Sequence, residues 1–299
     1  MRVIVPSTIT LIETNVEANA EAEYNPATTY ALGATVQIAT AHRVYESLVA
    51  DNLGNAPADN PTKWLDLGAT EQYKMVDEFV NTQTSMAEEL HVTVGMDRLD
   101  HLLLLGVVGT EINLKLWDGA SLLWEETTDL VYTDPLLSVI EDWQGYFFGQ
   151  NARLYSDIFR QVTVLAFTPT LEITITYPGG TAKLAMVTAG LAVHLGATQY
   201  GAEIGILSYS KKVTDGYGRT YLKQGARAKR NQLLVWVDSA RIDIVNQWLM
   251  ELDAIPCAWV GDEKCGTMAL LTFGFFRDYG IVLEKTNKTL LRIEIESLT

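Results

Sequence analysis

The sequence predicts a mainly β chain that ends in an α+β module. Three observations carry this. Short runs of β-branched and aromatic residues alternate with polar ones along most of the 299 residues, the period-two pattern of half-buried strands. Glycine and proline punctuate those runs, as at Asp118-Gly119 and Pro178-Gly179-Gly180, where turns join strands. One stretch, 239–256, shows a helical period instead.

Residues 1–20 read as an N-terminal arm. VIVPSTITLIE joins β-branched residues to Pro6, which suits an edge strand. The expectation is that this arm pairs with a neighbouring molecule. ANAEAE (18–23) is a polar linker. Residues 21–70 form a small β-module punctuated by Tyr24, Tyr30, Gly33, Tyr45, Trp64 and Gly68. So few residues cannot bury a large apolar core, so aromatic packing has to hold the module.

Residues 71–196 read as a β-sandwich, jelly-roll-like. LHVTV (90–94) alternates, and HLLLLGVVG (101–109) is continuously apolar, as a strand buried on both faces should be. INLKLW and ASLLW flank Asp118-Gly119, a hairpin signal. RQVTVLAFT (160–168) and LEITITYPGG (171–180) are expected to form a second pair, and 182–196 is read as strands. Many short strands with turn signals indicate two packed sheets.

Residues 197–299 mix types. AEIGILSYSKKV is a strand ending in a basic turn, 215–225 is Gly-rich and loop-like, and 231–238 is a strand. In the helix, Ile242, Val245, Trp248, Leu249 and Leu252 make one apolar stripe. Asp238 or Ser239 can cap its start, and Pro256 lies past its end. Strands follow at 269–284 and 289–298. A helix across antiparallel strands is an α+β layer, on which Trp248 is expected to pack.

The formal net charge of −15 is unevenly spread. Residues 195–299 hold 13 Lys+Arg against 12 Asp+Glu, whereas 1–194 hold 9 against 25. So acidic a surface does not suit nucleic acid. No run reaches 18 apolar residues, so no membrane insertion is expected. The N-terminal apolar run is short and broken by Pro6, unlike an export signal. Cys257 and Cys265 are expected to be reduced thiols of a chain made in a cytoplasm.

Catalytic patterns are missing from the sequence. His42, His91, His101 and His194 are scattered, and Asp97, Asp100 and His101 lack a second histidine at metal-ligand spacing. Glu125-Glu126 and Glu141-Asp142 read as solvated turns. A glycosidase dyad needs carboxyls held ~5–10 Å apart across a cleft. There is no GxSxG, P-loop or GxGxxG leading into a helix. The expectation is a protein that is not an enzyme and takes no cofactor or metal.

Three ordered resemblances point to a function. Tyr24, Tyr30-Ala-Leu-Gly33, Tyr45-Glu46 and Trp64 resemble the small chitin- and cellulose-type carbohydrate-binding modules. That likeness nominates Tyr24, Tyr45 and Trp64 as possible glycan contacts, since sugar C–H faces stack on aromatic rings. The joint Trp64, Gly68, Tyr73-Lys74-Met75, Asp77 and Thr82-Gln83-Thr84 is similar to tailed-bacteriophage tail proteins. In those proteins such a module precedes a galactose-binding-like jelly roll. Gly205, Ser208 to Lys212, Gly218 to Leu222, Pro256, Trp259 to Gly261 and Phe273 to Tyr279 resemble a ring-forming terminal module of phage minor tail proteins. The resemblance implies a virion protein of the baseplate or tail tip. Its implied partners are copies of itself, the tail tube and other tail proteins, with a host-surface glycan as the alternative. A glycan-degrading enzyme is the more remote alternative. Lys211, Lys212, Arg219, Lys223, Arg227, Lys229 and Arg230 crowd seven cations into 20 positions with only Asp215 opposing. They are read as assembly contacts with an acidic neighbour, in preference to nucleic acid.

Overall fold

The computed structural model describes residues 1–77, 79–133, 152–154, 157–164, 166–261, 268–283 and 287–298. Glu141, Asp142 and Cys265 lie outside the described residues. In chain order, β1 (Arg2–Pro6) and β2 (Ile9–Thr14) come first. The small module holds β3 (Thr35–Ile38), β4 (Arg43–Ser47) and β5 (Trp64–Ala69). Then come β6 (Thr84–Met96), β7 (His101–Leu105), β8 (Glu111–Asp118), β9 (Ser121–Asp129) and β10 (Val131–Thr133). They lead to β11 (Ala152–Leu154), β12 (Ile158–Gln161), β13 (Pro169–Leu184) and β14 (Met186–His194). The last part holds β15 (Ala197–Thr198), β16 (Glu203–Ser208), β17 (Lys211–Thr214), β18 (Thr220–Lys223) and β19 (Arg227–Asp238). It closes with α1 (Ile242–Glu251), β20 (Cys257–Val260), β21 (Leu271–Val282) and β22 (Lys288–Ser297). The protein is mainly β, built from antiparallel sheets, and among the described residues there is one α-helix, in the C-terminal part.

A ten-stranded sheet runs β12-β7-β14-β1-β20-β21-β22-β19-β15, with β16 also pairing β19. A five-stranded sheet, β2-β6-β13-β8-β9, faces one end of it. Between them lies a core of Leu90, Val92 and Val94, Ile112 and Leu114, and Leu171 and Ile173 from the smaller sheet. Leu102, Leu104, Ile158, Val187 and Ala189 come from the larger one. The apolar run at β7 is buried on both faces as expected: Leu102 and Leu104 enter this core, Leu103 and Leu105 a separate cluster behind it.

The first strand corrects the expectation of an arm lent to a neighbour. β1 is an interior strand of the chain's own sheet, with Ile4 in register with Ala192 on β14 and Ala258 on β20. Val3 and Ile4 are fully buried on opposite faces. Gly190 makes the approach possible, because a Cβ there would lie 1.9 Å from the Val5 carbonyl oxygen. The boundary drawn at 196/197 falls inside this continuous sheet. A second correction concerns 160–180: β12 pairs β7 in the large sheet, whereas β13 runs between β6 and β8 in the other. The two segments are not partners, because they belong to opposed layers.

The Asp118-Gly119 turn joins β8 to β9, with Gly119 at φ +58°, a left-handed conformation that glycine adopts without strain. At the other end of the large sheet, Asp238 accepts the Ala240 N–H at 3.1 Å and starts the turn into α1. The helix stops at Glu251, five residues before Pro256. Val245, Leu249 and Leu252 pack on Val3, Leu233, Val235 and Trp259. Trp248 is only half-buried, on the flank of the helix.

The small module is held by aromatic contacts. Trp64 sits edge-on to Tyr24 and Tyr30 at 5.9 and 5.3 Å, over Val36 and Tyr45. It is strapped to the sandwich by Gln72 Nε2 donating to the Val16 carbonyl at 2.7 Å and by Met75, fully buried in the sandwich core.

Candidate functional site: a projecting basic hairpin

The sugar platform nominated from sequence is occupied by the module's own core. Trp64 is 2% exposed and its indole N–H donates to the Asn55 carbonyl at 2.8 Å. Tyr45 is buried beside it, and Tyr24 stacks on Tyr30 at 5.8 Å. Rings enclosed in this way offer no free face for a pyranose, so Tyr45 and Trp64 are corrected to a structural role, whereas Tyr24 is half-buried with one face on Tyr30.

The basic segment is built differently from the loop expected at 215–225. β16 and β19 stay paired to Ser208 and Arg227, and the Tyr209 N–H continues the ladder to the Ala226 carbonyl. β17 and β18 then extend it, Lys211 opposite Lys223 through Thr214 opposite Thr220. Nearly every residue from Ser208 to Arg227 is exposed. The result is a two-stranded ribbon projecting from the sheet. Such a ribbon alone is only marginally stable in water.

Its tip is well fixed. The Asp215 carboxylate accepts the Tyr217 and Arg219 N–H groups at 2.9 and 2.8 Å, and the Gly218 N–H returns to the Asp215 carbonyl at 3.0 Å. Tyr217 is 94% exposed, with Leu222 and Tyr221 also outward.

The structure divides the seven nominated cations. Lys211, Lys212, Arg219, Lys223 and Arg227 are exposed and form no ion pair among the described residues. Lys211 and Lys223 stand directly opposite each other, a like-charge pair that destabilises an isolated ribbon. The other two serve the fold, which corrects their assignment as contacts. The Lys229 ammonium turns inward to the Leu271 carbonyl. Burial lowers its pKa below the usual lysine value, partly opposed by Asp157. Arg230 pairs with Glu294 at 2.7 Å, an ion pair that Arg277 joins at 3.8 Å. Neighbouring letters on a strand face opposite ways, which separates Lys229 from Arg230.

Beside the ribbon, β16 is an edge strand of the large sheet with Ile204 and Ile206 exposed. Sequence reading passed over it because a strand written EIGILS looks the same in the middle of a sheet. His101 is buried, with Nδ1 2.6 Å from Asp100 and Nε2 3.1 Å from an Arg2 guanidinium nitrogen. A guanidinium only donates, so Nε2 is the side of the ring that faces a donor. This chain of contacts ties β1 to β7. Among the described residues no group of three or more His, Cys, Asp or Glu is placed to hold a metal. Compared with family models, with curated proteins and with solved structures, the chain matches none.

Proposed function

We propose that this chain is a structural component of a bacteriophage tail, in the baseplate or tail-tip region, acting by homo-oligomeric assembly around the tail tube. The observation that carries the reading is the projecting ribbon with five cations that form no ion pair among the described residues, on a chain of net charge −15. A basic arm on an acidic molecule is complementary to other copies of itself. The bare edge of β16 with its exposed isoleucines supports the same reading, because unpaired strand edges recruit strands. So does the position of the resemblance: Ser208 to Lys212 and Gly218 to Leu222 form the ribbon itself. The galactose-binding-like jelly-roll assignment of 71–196 belongs to this proposal, supported by two opposed antiparallel sheets around one core.

The test is the mass of the purified protein by light scattering, with and without the ribbon. Replacing 210–225 by a two-residue Asn-Gly turn should convert a multi-subunit species to a monomer with an unchanged circular dichroism spectrum. A full-length protein that stays monomeric at every concentration, alone or mixed with tail-tube protein, would defeat the proposal.

A further inference from the structure

We infer that the tyrosine at the ribbon tip seats in a cleft beside α1 of a second copy, a contact that presupposes the assembly reading above. The cleft is an open depression of about 520 Å³ lined by Pro6, Leu191, Val193, Trp248 and Phe167. Exposed Asp97 and Arg98 also line it. Its two aromatic walls both keep surface open to solvent. Phe167 is 73% exposed because its turn is pinned. The Asp118 carboxylate accepts the Phe167 N–H at 3.3 Å and the Thr168 N–H and hydroxyl at 3.0 and 2.9 Å. Trp248 is half-buried, and its indole N–H is open to solvent, with no acceptor among the described residues. A tyrosine hydroxyl can accept from such an indole.

The occupant is argued from the same chain. Tyr217 stands free on a hydrogen-bonded turn. A ring with two rotatable bonds on a fixed turn loses little entropy on docking, and tyrosine seated in an apolar pocket is the common form of an interface anchor. The flanking charges match as well. Asp215 and Arg219 bracket the tip, while Arg98 and Asp97 line the cleft without ion pairs among the described residues. Tip and cleft are different surfaces of one molecule, so the contact is head-to-tail. Such contacts close into rings when the rotation permits.

Sedimentation analysis of Tyr217→Ala, Trp248→Ala and the double variant tests the contact. Each single variant should weaken self-association about thirtyfold, the size of a strong interface anchor. The double variant should be no weaker than the worse single one, because both remove one contact. Phe167→Ala guards against misfolding at Trp248, since its ring is already in solvent, and it should weaken association too. Arg219→Asp should weaken association, and Asp97→Arg should restore it. Independent, multiplying effects of Tyr217→Ala and Trp248→Ala would overturn the contact. Loss of assembly on ribbon removal, with Trp248→Ala and Phe167→Ala unaffected, would leave the assembly reading standing and refute this cleft as its receptor. Wild-type binding to a random-sequence DNA duplex that vanishes with Tyr217→Ala while self-association holds would also overturn it.

Discussion

Replacing Ile4 by alanine tests whether β1 belongs to the chain's own sheet. Ile4 is fully buried between β14 and β20, in a cluster with Leu103, Met186 and Phe273. Truncation removes three carbons, worth about 2.4 kcal/mol of transfer free energy at ~0.8 kcal/mol each. Backbone ladders on both sides limit collapse around the void. The residual cavity therefore adds about 1–2 kcal/mol at ~24 cal/mol per Å³. The expected loss is about 3.5–4.5 kcal/mol, within the range for deleting a buried isoleucine. Ile12→Ala on β2 is the control: Ile12 is 60% exposed, and its loss should stay within about 0.5 kcal/mol. Urea unfolding followed by tryptophan fluorescence, at two protein concentrations, reads both. A strand of the chain's own sheet gives a midpoint shift independent of concentration, whereas one borrowed by a neighbour gives a shift that grows on dilution. Equal effects for Ile4 and Ile12, or a concentration-dependent shift, would refute the placement of β1.

Other expectations follow from the same geometry. Gly190→Ala puts a methyl against the Val5 carbonyl, where both atoms are held by the ladder. It should lower stability by about 1–3 kcal/mol or more in urea titration. Burial pushes the Cys257 thiol up to about 12. In a Cys265→Ser background it should resist thiol reagents at pH 8 while folded and react in denaturant, as read by mass. Backbone and hydroxyl donors at Thr168, with the Phe167 N–H, hold Asp118 below the usual carboxylate range. Its stabilisation is therefore present above the unfolded pKa of about 4 and lost as pH falls through the lower folded value. Melting temperature should accordingly fall more steeply below that pH in the wild type than in Asp118→Asn.

Local features were legible in the letters, and distant pairings were not. His101 to Leu105 announced a strand buried on both faces, because no position in the run is polar enough for solvent after its first residue. Asp118-Gly119 announced its hairpin, and Asp238 its helix start, because each acts within a few residues of itself. VIVP gave no sign of its partners, since an interior strand and an edge strand can share one composition. Residues 160–168 and 171–180 were paired by proximity, whereas their alternation is equally compatible with opposite layers. Tyr45 and Trp64 are the letters of a sugar platform and equally of an aromatic core, and only burial distinguishes them. The charge run 211–230 was visible, but not that Lys229 folds inward while Lys211 stands out. Phe167 and Trp248 meet only in space, so no spacing rule could have joined them.

The position of β1 also sets a timetable for synthesis. Its residues are made before both of their partners, and Ile4 waits for Ala192 and then Ala258 before both flanks of its backbone are satisfied. Pairings this remote close slowly and leave sticky segments uncovered meanwhile. Pairing with β14 covers one flank of β1 first, and the other flank stays open until β20 has been made, so the second closure is the step that completes the central sheet.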